Sequence, residues 1–174
     1  MKKKSTKIAL IGIMGVGKSK VGKMLAHQKQ YIFADTDDTL SNRAGMHASQ
    51  VFYAYGEDVF RKYESNILQE FAWNDQIVIS TGGGVVLNPK NMEFIKDFLI
   101  IRLNAAPQTI LNRLKNDTLI RPLTKNKSDE EIINIINERE PLYKKYADLC
   151  IDTDNKPVEQ VLEEITNFLD TYNS

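Results

Sequence analysis

A run of eight residues near the amino terminus has the composition and spacing that bind phosphate. Residues 12–19, GIMGVGKS, match the pattern G-x-x-x-x-G-K-[ST]. The glycines let successive backbone N–H groups converge on phosphate oxygens without interference from side chains. Lys18 can neutralise charge on the β and γ phosphates of a nucleoside triphosphate, and the Ser19 hydroxyl can bind Mg²⁺. The spacing therefore predicts a site for a nucleoside triphosphate and a magnesium ion.

Two carboxylates follow the second strand of the predicted fold, in the run Asp35-Thr36-Asp37. A carboxylate at the carboxyl end of a strand faces the ligand crevice of an open α/β sheet. It can hold metal-bound water or accept a hydrogen bond from a substrate hydroxyl. The alternative is that Asp37 is a helix N-cap, and the local pattern taken alone favours capping.

Three consecutive glycines and two arginines are the other candidates for a ligand site. The glycines, residues 82–84, directly follow the third predicted strand and allow a ligand to approach the backbone closely. Arg61 and Arg139 have the planar fork that suits a carboxylate. Arg61 could instead form helix-surface pairs with Glu57 or Glu64, and the spacing does not decide between these alternatives.

An alternation of strands and helices must position these residues. Continuous apolar runs predict five buried strands, at residues 7–11, 31–35, 76–80, 98–104 and 149–152. Helices are predicted at residues 19–30, 59–73, 88–97, 106–115, 129–140 and 157–172. The β-α alternation predicts an α/β domain with right-handed crossovers.

The polar segment at residues 116–128 interrupts this alternation and is rich in lysine and arginine. It is too polar for the core and long for a plain turn, so a mobile loop over a site is one interpretation. A solvated surface loop is the other.

Composition limits the classes of function. The 174 residues fit one domain, and the 23 basic and 23 acidic residues cancel, which argues against a broad nucleic-acid-binding face. No stretch has the length to span a bilayer, and the lysine-rich start lacks the pattern of a secretory signal. The single cysteine, Cys150, is expected to be a buried core thiol. We expect a cytoplasmic protein whose size and neutral charge are compatible with a monomer.

Together these segments resemble the shikimate kinase family, from residue 7 to about residue 156. Five stretches carry the resemblance in order: residues 12–19, 33–37, 56–64, 80–84, and 121–123 followed by 139–143. The resemblance implies a three-layer P-loop fold, in which helices flank a five-stranded parallel sheet of order 2-3-1-4-5. It implies one kinase domain over residues 1–174, a substrate-binding helical region at about residues 36–64 and a mobile lid at about residues 115–128.

The activity that the resemblance implies is ATP-dependent phosphorylation of the shikimate 3-hydroxyl. The products would be shikimate 3-phosphate and ADP, in a step toward chorismate and the aromatic amino acids. ATP and Mg²⁺ are the implied cofactors and shikimate the implied partner, with no nucleic acid and no membrane.

The resemblance also implies roles for individual residues. The implied catalytic residues are Lys18, Asp37 and Arg121, with Asp37 accepting from the phosphorylated hydroxyl and Arg121 reaching the nucleotide from the lid. The implied substrate-binding residues are Asp37, Arg61, Gly82, Gly83, Gly84 and Arg139, with the two arginines on the shikimate carboxylate. Ser19 and, through water, Asp35 would hold Mg²⁺. The implied nucleotide-binding residues are Gly12, Gly15, Val16, Gly17, Lys18, Ser19, Lys20, Arg113 and Arg121.

The chain departs from the family pattern at a few positions. Lys20 stands where threonine is common, and Thr124 stands where leucine is usual. Arg113 lies one residue farther from Arg121 than usual, and residues 154–157 match the adenine-side segment only loosely.

Two other classes of function fit the phosphate loop. One is a kinase for another small acceptor, such as gluconate or a nucleoside monophosphate, and the paired arginines with three glycines favour a compact carboxylated polyol instead. The other is a non-catalytic nucleotide-dependent switch or binding module. Asp37 beside Asp35 argues against that second class, because a binder needs no carboxylate to orient an acceptor.

Overall fold

The structure, a computed structural model, describes residues 6–117 and 124–172. Within these residues the five predicted strands are confirmed. They are β1 (Lys7–Ile11), β2 (Ile32–Asp35), β3 (Ile77–Ser80), β4 (Leu99–Asn104) and β5 (Leu149–Asp152). All pair in parallel in the order β2-β3-β1-β4-β5, which confirms the predicted topology. Helices cover the sheet, so the central strands β1, β3 and β4 are buried almost throughout.

The helices that flank the sheet are also close to the predicted ones. They are α1 (Lys18–Lys29), α2 (Thr36–Ala44), α3 (Ala48–Tyr55), α4 (Glu57–Phe71), α5 (Pro89–Phe94), α6 (Pro107–Lys115), α7 (Asp129–Tyr146) and α8 (Val158–Tyr172). A single 3₁₀ turn, Val85–Leu87, follows the three glycines. Asn88 caps α5 with Pro89 in its first turn, as the sequence predicts.

Three of these helices are exceptions: α2 and α3 are not among the predicted helices, and α7 is longer than predicted. Helix α2 has a single large apolar residue, Leu40, and the apolar residues 51–55 of α3 are consecutive, so neither shows the three- and four-residue spacing of an amphipathic helix. Helix α7 continues past Pro141, where the sequence predicts its end. Contacts on both sides of Pro141 hold it: Glu140 pairs with Arg102 of β4, and Tyr143 bonds to the backbone of Gly83.

The prediction that Asp37 caps a helix is wrong. The residue that caps α2 is Asp35, whose Oδ1 accepts hydrogen bonds from the backbone N–H groups of Asp37 (3.0 Å) and Asp38 (3.2 Å). Asp37 lies inside the first turn, so its carboxylate is not needed for capping.

The prediction for Cys150 is also wrong, because its side chain is exposed. Strand β5 lies at the edge of the sheet, and Ile151 is its only buried residue. A short apolar run in an edge strand therefore has the sequence pattern of a buried strand, although only part of the edge strand faces the core.

The hydrophobic core has two parts. The larger surrounds the sheet, and a smaller cluster lies beneath α2, α3 and α4. The smaller cluster consists of Leu40, Ala48, Val51, Phe60 and Ile67. The three helices that connect β2 to β3 therefore have a core of their own. Along residues 6–117 and 124–172, no helix combines the length and the apolar character needed to cross a membrane.

Candidate active site

The phosphate loop connects β1 to α1 at the centre of the sheet. Gly12 has φ 142°, and a side chain there would overlap the carbonyl oxygen of Leu103 in the neighbouring strand β4. Within the described residues, no side chain caps the start of α1 after Gly17. The first N–H groups of α1 and the positive end of its dipole are therefore directed at the loop, which is the arrangement that binds a phosphate.

Lys18 is buried inside this loop. Its ammonium donates to the carbonyl oxygens of Gly12 (2.7 Å) and Ile13 (2.9 Å). The cation thus lies against the loop backbone, where incoming phosphate oxygens would compete with those carbonyls.

Ser19 and Asp35 meet at the carboxyl ends of β1 and β2. The Ser19 hydroxyl donates to Asp35 Oδ2 at 2.6 Å and lies 3.3 Å from the Ser80 hydroxyl. Hydroxyl and carboxylate oxygens are the hard ligands that Mg²⁺ prefers, and Mg²⁺ commonly keeps several waters. One hydroxyl and one carboxylate are a small ligand set, which suits an ion that fills its other positions with water and phosphate oxygens.

A cavity of about 750 Å³ opens beside the phosphate loop, between α2, α3, α4, α7 and residues 82–84. It brings together the residues predicted for the acceptor and the metal: Ser19, Asp35, Asp37, Arg61, Gly82, Gly83, Gly84 and Arg139. These residues come from segments that are far apart in the chain. We refer to this space as the acceptor cavity.

Arg61 forms both of the ion pairs that the sequence allows and also lines the acceptor cavity. Its guanidinium lies 3.2 Å from Glu57 Oε1 and 3.0 Å from Glu64 Oε2. A side chain at Gly84 would overlap this guanidinium, so the arginine would have to leave its present position. The ion pairs and the cavity position are therefore compatible, although the sequence presents them as alternatives.

Glu64 is the residue of the cavity that sequence reasoning missed. It is only 1% exposed, and its Oε1 has no hydrogen-bond partner in the described part of the chain. Burial raises the pKa of Glu64, while the charges of Arg61 and Arg139 oppose that rise. A signal was present in the sequence, because Glu64 shares the buried face of α4 with Phe60, Ile67 and Leu68.

The three glycines meet α7 on the opposite wall of the cavity. Arg139, which is largely buried, donates to the carbonyl oxygen of Gly83 at 3.4 Å, and the Tyr143 hydroxyl donates to the same oxygen. Burial raises the pKa of Tyr143 to about 12, against the opposing charge of Arg139. Sequence reasoning included Tyr143 in a family stretch without giving it a role.

Asp37 lies where the acceptor cavity meets the phosphate loop. A Cβ atom added at Gly82 would lie 3.2 Å from Asp37 Oδ1 and would overlap the Glu64 carboxylate. The glycine thus leaves room for both carboxylates, and Asp37 lines the cavity together with Ser19. A hydroxyl bound in this cavity can therefore lie between the Asp37 carboxylate and the phosphate loop.

The other residues predicted to bind the nucleotide do not lie together in one place. Arg113 donates to the Thr153 hydroxyl and carbonyl, both at 2.9 Å, and to the Gly15 carbonyl at 3.4 Å, so it links the phosphate loop to the segment after β5. Val16 is buried in the loop, and Lys20 is exposed on α1. Arg121 lies outside the described residues.

The segment that precedes α7 reaches the acceptor cavity. Lys127 lines the cavity, and the Lys125 ammonium lies 4.3 Å from the centre of the Tyr53 ring of α3. This distance is typical of a cation–π contact.

Comparison with known proteins identifies relatives over nearly the full chain. The family model described as shikimate kinase matches residues 14–170. The shikimate kinase of Dehalococcoides mccartyi is 36% identical over 171 residues, which cover 98% of this chain and 97% of the relative. The solved structure of a shikimate kinase from Acinetobacter baumannii, in complex with shikimate, has a TM-score of 0.87 and is 29% identical, covering 95% of this chain and 93% of that one.

A gluconokinase bears on the alternative acceptor that the sequence allows. The gluconokinase structure from Sinorhizobium meliloti has a TM-score of 0.65 but is only 16% identical, over 99% of this chain and 95% of that one. At that identity the likeness concerns the fold alone.

Proposed function

The chain belongs to the shikimate kinase family and is a phosphotransferase, and from this premise we propose that it transfers the terminal phosphoryl group of ATP to the 3-hydroxyl of shikimate. The observation that carries the proposal is the acceptor cavity. It joins two arginines and a carboxylate, Arg61, Arg139 and Asp37, to the end of the phosphate loop at Ser19. This combination suits a compact polyol that bears one carboxylate.

The acceptor half of the site would bind and orient shikimate. Arg61 and Arg139 would hold its carboxylate through their planar forks, and residues 82–84 would contact it through backbone groups. Asp37 would accept the hydrogen bond of the 3-hydroxyl and then its proton. The acceptor oxygen forms a bond to the γ-phosphorus as the bond from that phosphorus to the β–γ bridging oxygen breaks, and the electron pair of the broken bond leaves on ADP.

The donor half would hold the nucleotide. The loop N–H groups would bind phosphate oxygens, and Lys18 would exchange its bonds to the Gly12 and Ile13 carbonyls for bonds to the β and γ phosphates. Ser19 and Asp35 would hold Mg²⁺, which when bound neutralises charge on the phosphates. Arg121 would add a positive charge from the lid, and Arg113 and Lys20 would complete the nucleotide side.

The remaining parts of the proposal concern the whole chain. Residues 1–174 would form one kinase domain with a substrate-binding region at about residues 36–64 and a lid at about residues 115–128. Closure of the lid would exclude water, which otherwise competes with the 3-hydroxyl as acceptor. The protein would act as a cytoplasmic monomer, without nucleic-acid or membrane partners.

A coupled assay of ADP release tests this function. ATP and Mg²⁺ are supplied with shikimate, gluconate or a nucleoside monophosphate, and phosphate release without any acceptor is the control. We expect shikimate to stimulate ADP release, and gluconate and the nucleoside monophosphate to leave it unchanged. If gluconate or a nucleoside monophosphate stimulates release and shikimate does not, the acceptor is wrongly assigned; if none does, the chain is a binding module.

A further inference from the structure

The backbone of residues 82–85 bonds to buried side chains from three separate elements. The Gly82 N–H donates to the Thr36 hydroxyl oxygen of α2 at 2.9 Å. The Gly83 carbonyl accepts from the Tyr143 hydroxyl of α7, and the Val85 carbonyl accepts from the Asn91 amide of α5 at 3.1 Å. The backbone of this short segment is therefore hydrogen-bonded to three helices.

Each of these side chains adjoins a residue of the acceptor cavity. Thr36 precedes Asp37, and Tyr143 lies one helical turn after Arg139. Asn91 reaches α4, because its Oδ1 accepts from the Ser65 hydroxyl at 2.7 Å. Ser65 follows Glu64, the buried carboxylate of the cavity. These three bonds, together with the bond from Ser65 to Asn91, thus connect residues 82–85, the glycine segment, to the helices that carry the cavity's charged side chains.

We propose that Thr36, Asn91 and Tyr143 are positioning residues of the acceptor site. They set the positions of Asp37, Glu64 and Arg139 relative to the backbone of residues 82–84. The inference rests on the proposed function, since it concerns how that site holds shikimate.

The burial of the three side chains explains why they act through their neighbours. Thr36 is 1% exposed, Asn91 0% and Tyr143 2%, so their bonds do not compete with water. Tyr143 is protonated at neutral pH, as any tyrosine is, and burial raises its pKa further, to about 12, so its hydroxyl is a donor. Replacing the Thr36 hydroxyl leaves the buried Gly82 N–H without its partner. Replacing the Tyr143 hydroxyl leaves the Gly83 carbonyl with only the 3.4 Å bond from Arg139, so in either variant residues 82–84 are held less firmly.

A shift of residues 82–84 would affect the acceptor more than the nucleotide, although Gly83 also lies beside the phosphate-loop backbone at Met14. The three bonds converge on the acceptor cavity, whereas the phosphate loop has its own contacts through Lys18 and the start of α1. Misplacement of binding groups by a fraction of an ångström weakens productive binding markedly. The signature of positioning is therefore a rise in the shikimate KM that is much larger than any change in the ATP KM.

Two conservative variants test the proposal in the full chain: Tyr143→Phe and Thr36→Val, each of which removes a single hydroxyl. We expect either change to raise the shikimate KM about tenfold and leave the ATP KM within about twofold of the wild-type value. Ser65→Ala removes the hydrogen bond that connects α4 to Asn91 without changing Asn91 itself, so we expect a smaller rise in the shikimate KM, of about threefold.

Thr81→Val is the matched control. Thr81 is equally buried and adjoins Gly82, but its hydroxyl donates to the Leu10 carbonyl of β1 at 2.9 Å and to no element that carries an acceptor residue. We expect Thr81→Val to lower the melting temperature without raising the shikimate KM.

Three outcomes are decisive. Folded Tyr143→Phe and Thr36→Val variants with wild-type shikimate KM overturn the proposal. If the shikimate KM of Thr81→Val rises as much as that of Tyr143→Phe and Thr36→Val, the proposal is also overturned, because the effect would then follow from lost stability. A wild-type protein that fails to phosphorylate shikimate contradicts the proposed function instead, so the two failures are distinguishable.

Discussion

The donor and acceptor halves of the site are built in opposite ways. The phosphate loop is one continuous run, residues 12–19, and it offers mainly backbone N–H groups and a helix start. The acceptor cavity draws Asp37, Arg61 and Arg139 from three helices and fits them around residues 82–84. Backbone binding needs only a local conformation, whereas side-chain binding needs the assembled fold.

The two halves also differ in their charges. The phosphate loop presents a buried cation, Lys18, and no acidic residue in the first turn of α1, which suits a polyanion. The acceptor cavity holds charges of both signs, with Glu64 buried between Arg61 and Arg139. A ligand with a single carboxylate and several hydroxyls matches that balance better than a second phosphate chain does.

The sharpest test of this separation is Asp37→Asn, which keeps the shape of the side chain and removes its basicity. We expect kcat to fall by about 10²–10⁴, because a positioned base contributes a factor of that order. ATP affinity, measured by calorimetry, should be unchanged. The control is Asp38→Asn in the same helical turn, for which a much smaller loss is expected. A parallel fall in ATP affinity and kcat would mean that Asp37 serves the donor half.

The matching change in the donor half is Lys18→Met. We expect kcat to fall by about 10²–10³, because the variant loses a cation that faces the transferred phosphoryl group. The ATP KM should rise as well, while shikimate binding measured without nucleotide stays the same. Lys23→Met, also on α1 but with its ammonium 5.7 Å from the centre of the Phe33 ring, is the control. Weaker shikimate binding in Lys18→Met would show that the halves are not separate.

Glu64→Gln tests the charge balance of the acceptor half. We expect about a tenfold rise in the shikimate KM, since Arg61 loses its buried charged partner. Stability should show a distinct pH dependence. Because burial raises the pKa of Glu64, the folded state binds that proton more tightly than the unfolded chain does.

The sign of this dependence follows directly. The contribution of Glu64 to stability is complete below the ordinary pKa of 4.5 and is lost as the pH rises through the raised value. Urea unfolding from about pH 4 to about pH 8 should therefore show the free energy of unfolding of the wild type falling relative to that of Glu64→Gln. A wild type that gains stability over this range relative to the variant would contradict the raised pKa.

The smallest effect is expected at the rim of the cavity, from Lys125→Ala. An exposed cation–π contact contributes about 0.5–1 kcal/mol, so the shikimate KM should rise only about two- to fivefold. Tyr53→Phe keeps the ring and should leave the KM unchanged, whereas Tyr53→Ala should match Lys125→Ala. Equal effects of Tyr53→Phe and Tyr53→Ala would assign the contact to the hydroxyl instead.

The predictable parts of the molecule are those with a local signal. The phosphate loop and the five strands follow from glycine spacing and short apolar runs, and the strand order follows from the family resemblance. Helices α2 and α3 escape because neither carries apolar residues at helical spacing: α2 has one large apolar side chain, and those of α3 are consecutive. Glu64 escapes for another reason: on the sequence it resembles a surface partner of Arg61, although its spacing from Phe60 and Ile67 places it on the buried face of α4.

The residues that hold the site together were the least predictable. Asp35 caps α2 with one carboxylate oxygen and accepts a hydrogen bond from Ser19 with the other, and its position at the end of an apolar run does not reveal this double contact. The bond between Tyr143 and Gly83 joins residues 60 positions apart, and no short-range pattern encodes it. Cys150 shows the converse error, since an apolar run in an edge strand gives no sign that one face meets solvent.

The crossover from β2 to β3 has a consequence for protein engineering. The strands at its two ends are neighbours in the sheet, paired from Ile32 with Ile77 to Asp35 with Ser80. The connection between them contains α2, α3 and α4 with a small core of their own. It is thus a natural cassette, which could be grafted between related enzymes to exchange the walls of the acceptor cavity that α2, α3 and α4 form, while the nucleotide half, residues 82–84 and Arg139 stay as they are.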